Sequence, residues 1–265
     1  MDHLVWNIDP EIVRWGSFAP RYYGLMFAIG FLVSYSIVLK IFLAEGKTEE
    51  QVSSLLLYTV VGTILGARLG HCIFYEPSVY LAKPWEILYI WKGGLASHGG
   101  TLGVMIAVWI YVKKNPDIKW IWLGDRVTMG AAFTGGCIRI GNFFNSEIVG
   151  KVSDVPWAIV FPRYGQQPRH PAMLYEAASY WLLFAFLMWY YKKLKGSFPS
   201  GRLLGIMLIW IFGSRILIEY TKINQVSFES GMFMNMGQLL SIPFVLAGAF
   251  LVSGKLENYL PGQKT

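Results

Sequence analysis

Apolar residues along this chain gather in runs of about 20, separated by polar or proline-bearing segments; that length carries an α-helix across the ~30 Å hydrocarbon core of a bilayer. The pattern predicts seven spans, roughly Gly24 to Ala44, Ser54 to Phe74, Leu95 to Val112, Ile121 to Phe144, Met173 to Tyr191, Leu203 to Tyr220 and Met236 to Val252. An all-α integral membrane protein follows, a single polytopic domain over residues 1–265 with its termini on opposite sides. Before the first span, Trp6, Trp15, Tyr22 and Tyr23 mix with Pro10 and Pro20, which suits a segment at headgroup level. The longest interruption, Asn145 to Pro171, holds Pro156, Trp157, Pro162 and Pro168 and predicts an insertion between spans four and five that forms a small extracytoplasmic head or lid.

Composition agrees: 54% of residues are hydrophobic and 15% charged, which excludes an ordinary soluble domain. Lys and Arg set the orientation. Loops after spans one, three, five and seven hold Lys40, Lys47, Lys113, Lys114, Lys119, Lys192, Lys193, Lys195, Arg202, Lys255 and Lys264 in short segments. The other side spreads Arg14, Arg21, Lys83, Lys92, Lys151, Arg163, Arg169 and Lys222 over about twice the length. The N-terminus is therefore expected outside and the C-terminus in the cytoplasm. A formal charge of +7 without basic runs interleaved with aromatics points to anionic lipid rather than nucleic acid. Cys72 and Cys137 lie inside spans without metal-type spacing and read as buried free thiols. Asp2, Asp9 and Glu11 at the N-terminus lack the basic-then-apolar order of a cleavable signal peptide, so this segment is expected to remain.

Four further basic residues, Arg68, Arg126, Arg139 and Arg215, fall in or at the ends of spans, more than seven structural helices require. A charge there costs ~2.5 kcal/mol or more on insertion scales, so intramembrane Arg and Glu usually face a polar cavity and mark function. The stretch from Gly135 to Gly150 places Arg139, Asn142, Asn145 and Glu147 at the end of the fourth run. On a helix Arg139 and Asn142 share a face, with Glu147 on roughly the same side, which could hold an anion. Snorkelling explains an Arg at a helix end but not two Asn and a Glu beside it. Arg215 has Glu219 four residues on, which predicts at least mutual neutralisation. Asp125 beside Arg126 is expected to pair at the cytoplasmic edge, and Arg68 with His71 to line a helix contact.

Two other constellations bear chemistry. His98 stands among Gly93, Gly94, Gly99 and Gly100, which are expected to leave room for a ligand around an imidazole suited to take a proton near neutral pH. In Arg169-His170-Pro171-Ala172-Met173-Leu174-Tyr175-Glu176, Pro171 suits a helix start. A capped interfacial helix accounts for Pro171 and Glu176 but not for His170.

Together these residues resemble the prolipoprotein diacylglyceryl transferases, bacterial membrane enzymes that lipidate lipoprotein precursors. Carrying the resemblance are Arg139-Ile140-Gly141-Asn142-Phe143-Phe144-Asn145-Ser146-Glu147 with Gly150, the Gly93 to Gly100 stretch, and His170-Pro171 with Leu174-Tyr175-Glu176. Arg21 to Met26, Arg215 with Glu219, and Gly237 to Pro243 fit the same pattern, so it reaches from the first span to the last. The chain departs from the family at Ser146, where Gly is usual, at Ala172-Met173, where Ser or Thr then Gln is common, and at Ile211, where some members have Tyr.

The resemblance implies seven transmembrane helices with an external head in the bacterial inner membrane. It also implies transfer of diacylglyceryl from phosphatidylglycerol to the lipobox cysteine of a prolipoprotein signal peptide, with release of glycerol phosphate and no metal or organic cofactor. His98, Arg139 and Arg215 are the expected catalytic residues; Arg139, Asn142, Asn145, Glu147, Tyr23, Glu219, His170 and Tyr175 are expected at the substrate. The chemistry supports such roles. A thiol of ordinary pKa ~8.5 must lose its proton to attack, and breaking a carbon–oxygen bond leaves charge on a phosphate. A guanidinium can bond two phosphate oxygens, and an imidazole can remove the proton, although a thiol near two arginines could also ionise unaided. A transporter or channel is the rival reading, but no repeat of the Arg139 motif occurs in either half. A scaffold would leave His98 and Arg139 without work.

Overall fold

The computed structural model describes residues 3–16, 19–90, 93–94, 96–223 and 232–258; Asp2, Lys92, Lys264 and Leu95, the expected start of the third span, lie outside them. Each expected span has a helix at its place: α1 Tyr22–Ala44, α2 Glu49–Phe74, α4 Ser97–Lys114, α5 Trp120–Asn145, α6 Ala172–Leu194, α7 Arg202–Ile218 and α8 Met236–Val252. The short α3, Pro77–Ala82, and a 3₁₀ turn, Pro84–Leu88, follow α2 and were not expected. By length and composition α1, α2, α6 and the stretch Arg202–Thr221 can each cross a membrane, while α8 is apolar but shorter. This is a predominantly helical, multi-pass membrane protein. α4 is less apolar because its first turn is Ser-His-Gly-Gly and it ends in two lysines, and α5 because it carries glycines, Asp125, Arg126 and Arg139.

The chain forms two compact units, residues 39–123 and residues 1–38 with 124–265. In the first, α2 and α4 meet backbone to backbone. Gly62, Gly66 and Gly70 recur every fourth residue on α2, as do Gly99, Gly103 and Ala107 on α4. A Cβ on Gly66 would strike the Gly99 carbonyl, and one on Gly99 the Gly66 carbonyl. Stripes of small residues let membrane helices approach closely, where dispersion rather than water drives association. The expectation that glycines leave space beside His98 is therefore corrected at Gly99, whose missing side chain makes room for α2.

Arg68, expected to line a helix contact, is a staple. It is buried and donates to four carbonyls, Glu86 at 2.6 Å, Gly93 at 2.7 Å, Ile87 at 2.9 Å and Gly94 at 3.2 Å, which ties the segment before α4 to α2. At the far end Thr48 and Gln51 form a capping box on α2, and Asp117 accepts from Lys47 Nζ at 2.8 Å and from Gln51. Those donors hold the Asp117 carboxyl below the ordinary aspartate range. Its contribution is present above that range and fades as pH falls through the lowered value; at an exposed site it is at most about 1 kcal/mol.

In the second unit, Ser34 of α1 donates to the Gly130 carbonyl of α5 at 2.7 Å, and a Cβ on Gly141 would come within 2.8 Å of the Tyr23 ring. Asp125 makes the expected ion pair with Arg126, its Oδ2 3.9 Å from Nη1, and has a second task. It accepts from the backbone N–H groups of Gly201 at 2.7 Å and Leu204 at 2.9 Å, satisfying donors at the start of α7 that lipid could not. The long interruption contributes two short strands, β2 Ile159–Val160 and β3 Pro168–Arg169, and the N-terminal segment a third, β1 Leu4–Val5. The order is β1-β2-β3, with Leu4 opposite Ile159 in parallel and Ile159 opposite Arg169 antiparallel. Val149, Ile159, Phe161 and Met173 form a core beneath them with Trp6 and Phe143 against it. Ala172 and Met173, where the family more often has polar residues, are fully buried here.

Candidate active site

The end of α5 turns the Arg139 motif back on itself. Ser146 N–H bonds the Phe143 carbonyl at 3.1 Å and Glu147 N–H the Asn142 carbonyl at 2.9 Å, a Schellman closure that requires left-handed backbone at Ser146, where φ is 57°. Here the usual Gly of the family has a physical reason. The Ser146 hydroxyl is moreover buried with no hydrogen-bond partner among the described residues. Ser146→Gly is expected to raise stability by about 1 kcal/mol, relieving left-handed strain and an unsatisfied hydroxyl at some cost in backbone entropy. Thermal unfolding in detergent checks it; a lower midpoint would refute the strain argument.

The turn brings the Glu147 carboxylate to the amides of Asn142, at 2.9 Å, and Asn145, at 3.2 Å, while Asn142 Oδ1 accepts from Arg139 Nη1 at 3.2 Å. Glu147 thus orients Arg139 through Asn142. The direct partner of Arg139 is a residue sequence reasoning assigned to a helix cap. Glu176 on the first turns of α6 lies 2.8 Å from Arg139 Nε through Oε2, and its Oε1 is 2.8 Å from Lys222 Nζ. Lys222 also reaches Glu219 Oε1 at 3.1 Å, which Arg215 Nε approaches at 3.3 Å. Asn235, whose Oδ1 caps α8, donates from Nδ2 to Glu219 Oε2 at 3.3 Å. Glu176, Glu219 and Lys222 are each 5% exposed or less, and each lies against a group of opposite charge.

Glycines fix this arrangement. A Cβ on Gly150 would come within 2.6 Å of both His170 Cβ and the Thr221 carbonyl, and one on Gly237 within 2.7 Å of Glu219 Oε1. Gly150 pairs with Lys222 as an isolated bridge, and Lys151 N–H bonds the Thr221 carbonyl at 2.7 Å, so the chain after Glu147 sets the backbone of Lys222. Beside it, Trp157 Nε1 donates to the Tyr175 hydroxyl at 2.8 Å, and that hydroxyl lies 3.0 Å from His170 Nδ1.

The structure therefore groups Arg139, Asn142, Asn145, Glu147, Arg215 and Glu219 in one network, keeps Tyr23 against Gly141, and sets His170 and Tyr175 side by side near Gly150. His98 belongs to the other unit, exposed in the first turn of α4. Glu176, Lys222 and Asn235 were missed. A signal for Lys222 was present, since Arg215, Glu219 and Lys222 alternate in charge at spacings of four and three.

Fold and site define a multi-pass membrane protein that concentrates half-buried arginines with buried lysine and carboxylates where its helices end. Residues 10–253 match the family of prolipoprotein diacylglyceryl transferase, and the chain belongs to it. Relatives named phosphatidylglycerol–prolipoprotein diacylglyceryl transferase include one from Tolumonas auensis, 47% identical over 94% of this chain and 96% of its own. Another from Chloroherpeton thalassium is 43% identical over 94% and 93%, and one from Vibrio cholerae 40% over 93% and 91%. This membership favours the enzyme over a transporter or channel.

Proposed function

We propose that the protein transfers the diacylglyceryl group of phosphatidylglycerol to the lipobox cysteine thiol of a prolipoprotein in the bacterial inner membrane. The observation that carries this reading is the family match over residues 10–253, joined by relatives of that name along more than nine-tenths of the chain. In the reaction the cysteine sulfur bonds to the glyceryl carbon, the carbon–oxygen bond to phosphate breaks, and glycerol phosphate leaves with the electron pair. Arg139, oriented by Asn142, Glu147 and Glu176, and Arg215, held by Glu219, supply positive charge to that phosphate, and His98 takes the thiol proton. Tyr23, Asn145, His170 and Tyr175 contact the lipid headgroup or the peptide. Seven helices cross the membrane from an external N-terminus to a cytoplasmic C-terminus, with residues 145–171 forming an extracytoplasmic head; the loop charges support that orientation.

The decisive experiment incubates purified protein with phosphatidylglycerol and a lipobox peptide. A gain in peptide mass of one diacylglyceryl unit is expected, and no gain would refute the function. Cysteines placed near Lys114 and Lys195 should be shielded from an impermeant external reagent and those in 145–171 accessible. The reverse pattern would invert the topology.

A further inference from the structure

Lys222 has no assigned part in this chemistry, yet it sits at the centre of the network. Only 4% exposed, it places Nζ 2.8 Å from Glu176 Oε1 and 3.1 Å from Glu219 Oε1. Each of those carboxylates also faces one arginine, Arg139 at 2.8 Å or Arg215 at 3.3 Å. The directly linked groups are three cations and two carboxylates, one net positive charge, the complement of the single negative charge on a phosphodiester. Among the described residues Glu147 reaches these groups through asparagine amides.

We infer that Lys222 is a positioning residue for the transfer: by sharing Glu176 and Glu219, whose carboxylates lie 2.8 Å from Arg139 and 3.3 Å from Arg215, it stops them from taking up the two guanidinium groups entirely. Both guanidinium groups then remain available to the lipid phosphate. In a buried site a carboxylate stripped of one cation binds the other more tightly, because no water replaces the lost partner. Loss of Lys222 therefore lowers the net charge from one to zero and turns both arginines inward. The backbone supports such a role, since Gly150 and Lys151 pin Thr221 and Lys222 from the Arg139 motif itself.

This inference rests on the proposed transfer. Its test follows initial rates on a lipobox peptide against the mole fraction of phosphatidylglycerol in micelles, using full-length protein checked for folding. Lys222→Met is expected to raise KM for phosphatidylglycerol about tenfold or more, and Lys222→Arg, which keeps the charge, to stay within about threefold. The double variant Glu176→Gln/Lys222→Met removes one charge of each sign. Its KM should return to within about threefold of the unaltered protein while kcat stays low, because Arg139 has lost its anchor. A purely structural lysine predicts otherwise: fewer active molecules at unchanged KM for Lys222→Met, and no recovery in the double variant. Either result overturns the inference. If Lys222→Met does not fold, the double variant decides alone, a tenfold rise in its KM being the refuting outcome. Unaltered protein without activity would instead refute the transfer itself.

Discussion

Arg139→Lys is expected to lose transfer almost as fully as Arg139→Ala. The guanidinium lies against Glu176 through Nε, at 2.8 Å as an ion pair, and donates from Nη1 to Asn142, so it is held from two directions while carrying charge toward a third. A lysine ammonium is a compact charge on a flexible stem and cannot keep both protein partners and a phosphate in one plane. Removing one preorganised donor from a water-excluded site costs ~3 to 4 kcal/mol, or 10² to 10³ in rate. Loss of Arg139 altogether also leaves Glu176 with Lys222 alone. The measurement is transfer to a lipobox peptide together with phosphatidylglycerol binding, for both variants in one detergent. Near-normal activity in the lysine variant beside an inactive alanine variant would reduce Arg139 to a simple counter-charge.

His98→Gln is expected to lower transfer by about 10² or more, the usual scale of general-base catalysis. The described residues on either side of His98 are held, since Ala96 N–H bonds the Ala67 carbonyl at 2.9 Å and the adjacent Gly99 presses on Gly66 and Gly70. A base so carried keeps its position when its side chain is changed, so the substitution tests chemistry rather than folding. Raising the pH should partly restore the variant, because more of the thiol then ionises unaided. Little loss at neutral pH, or no recovery at high pH, would refute the base assignment.

The helices were legible because lipid imposes one rule on every span, an unbroken apolar length, and the last run coincides with α8 at both ends. The Arg139 motif was legible because its polar residues lie within one turn or two of each other. Pairing across the chain was not. Glu176 read as a cap and Lys222 as a loop charge because their partnership joins positions 46 residues apart, which no local period records. Asp125 was read only in part for the same reason: its ion pair with Arg126 is there, but its hydrogen bonds run to Gly201 and Leu204. Around His98 the glycines were noticed but the purpose of Gly99 was mistaken, since a missing side chain marks close approach without saying whether a ligand or another helix approaches.

The order in which a chain is synthesised gives the shared glutamates a further consequence. Arg139 and Glu176 enter the membrane first, and together they are neutral, so the growing chain can insert α5 and α6 without a stranded charge. Arg215, Glu219 and Lys222 follow with α7 and its final turn, and Asn235 comes only with α8. On the inference drawn for Lys222, a chain interrupted before it is expected to hold Arg139 closed against Glu176. The extra positive charge arrives with α7 and the turn after it, so phosphate affinity is expected late in assembly rather than with α5 and α6.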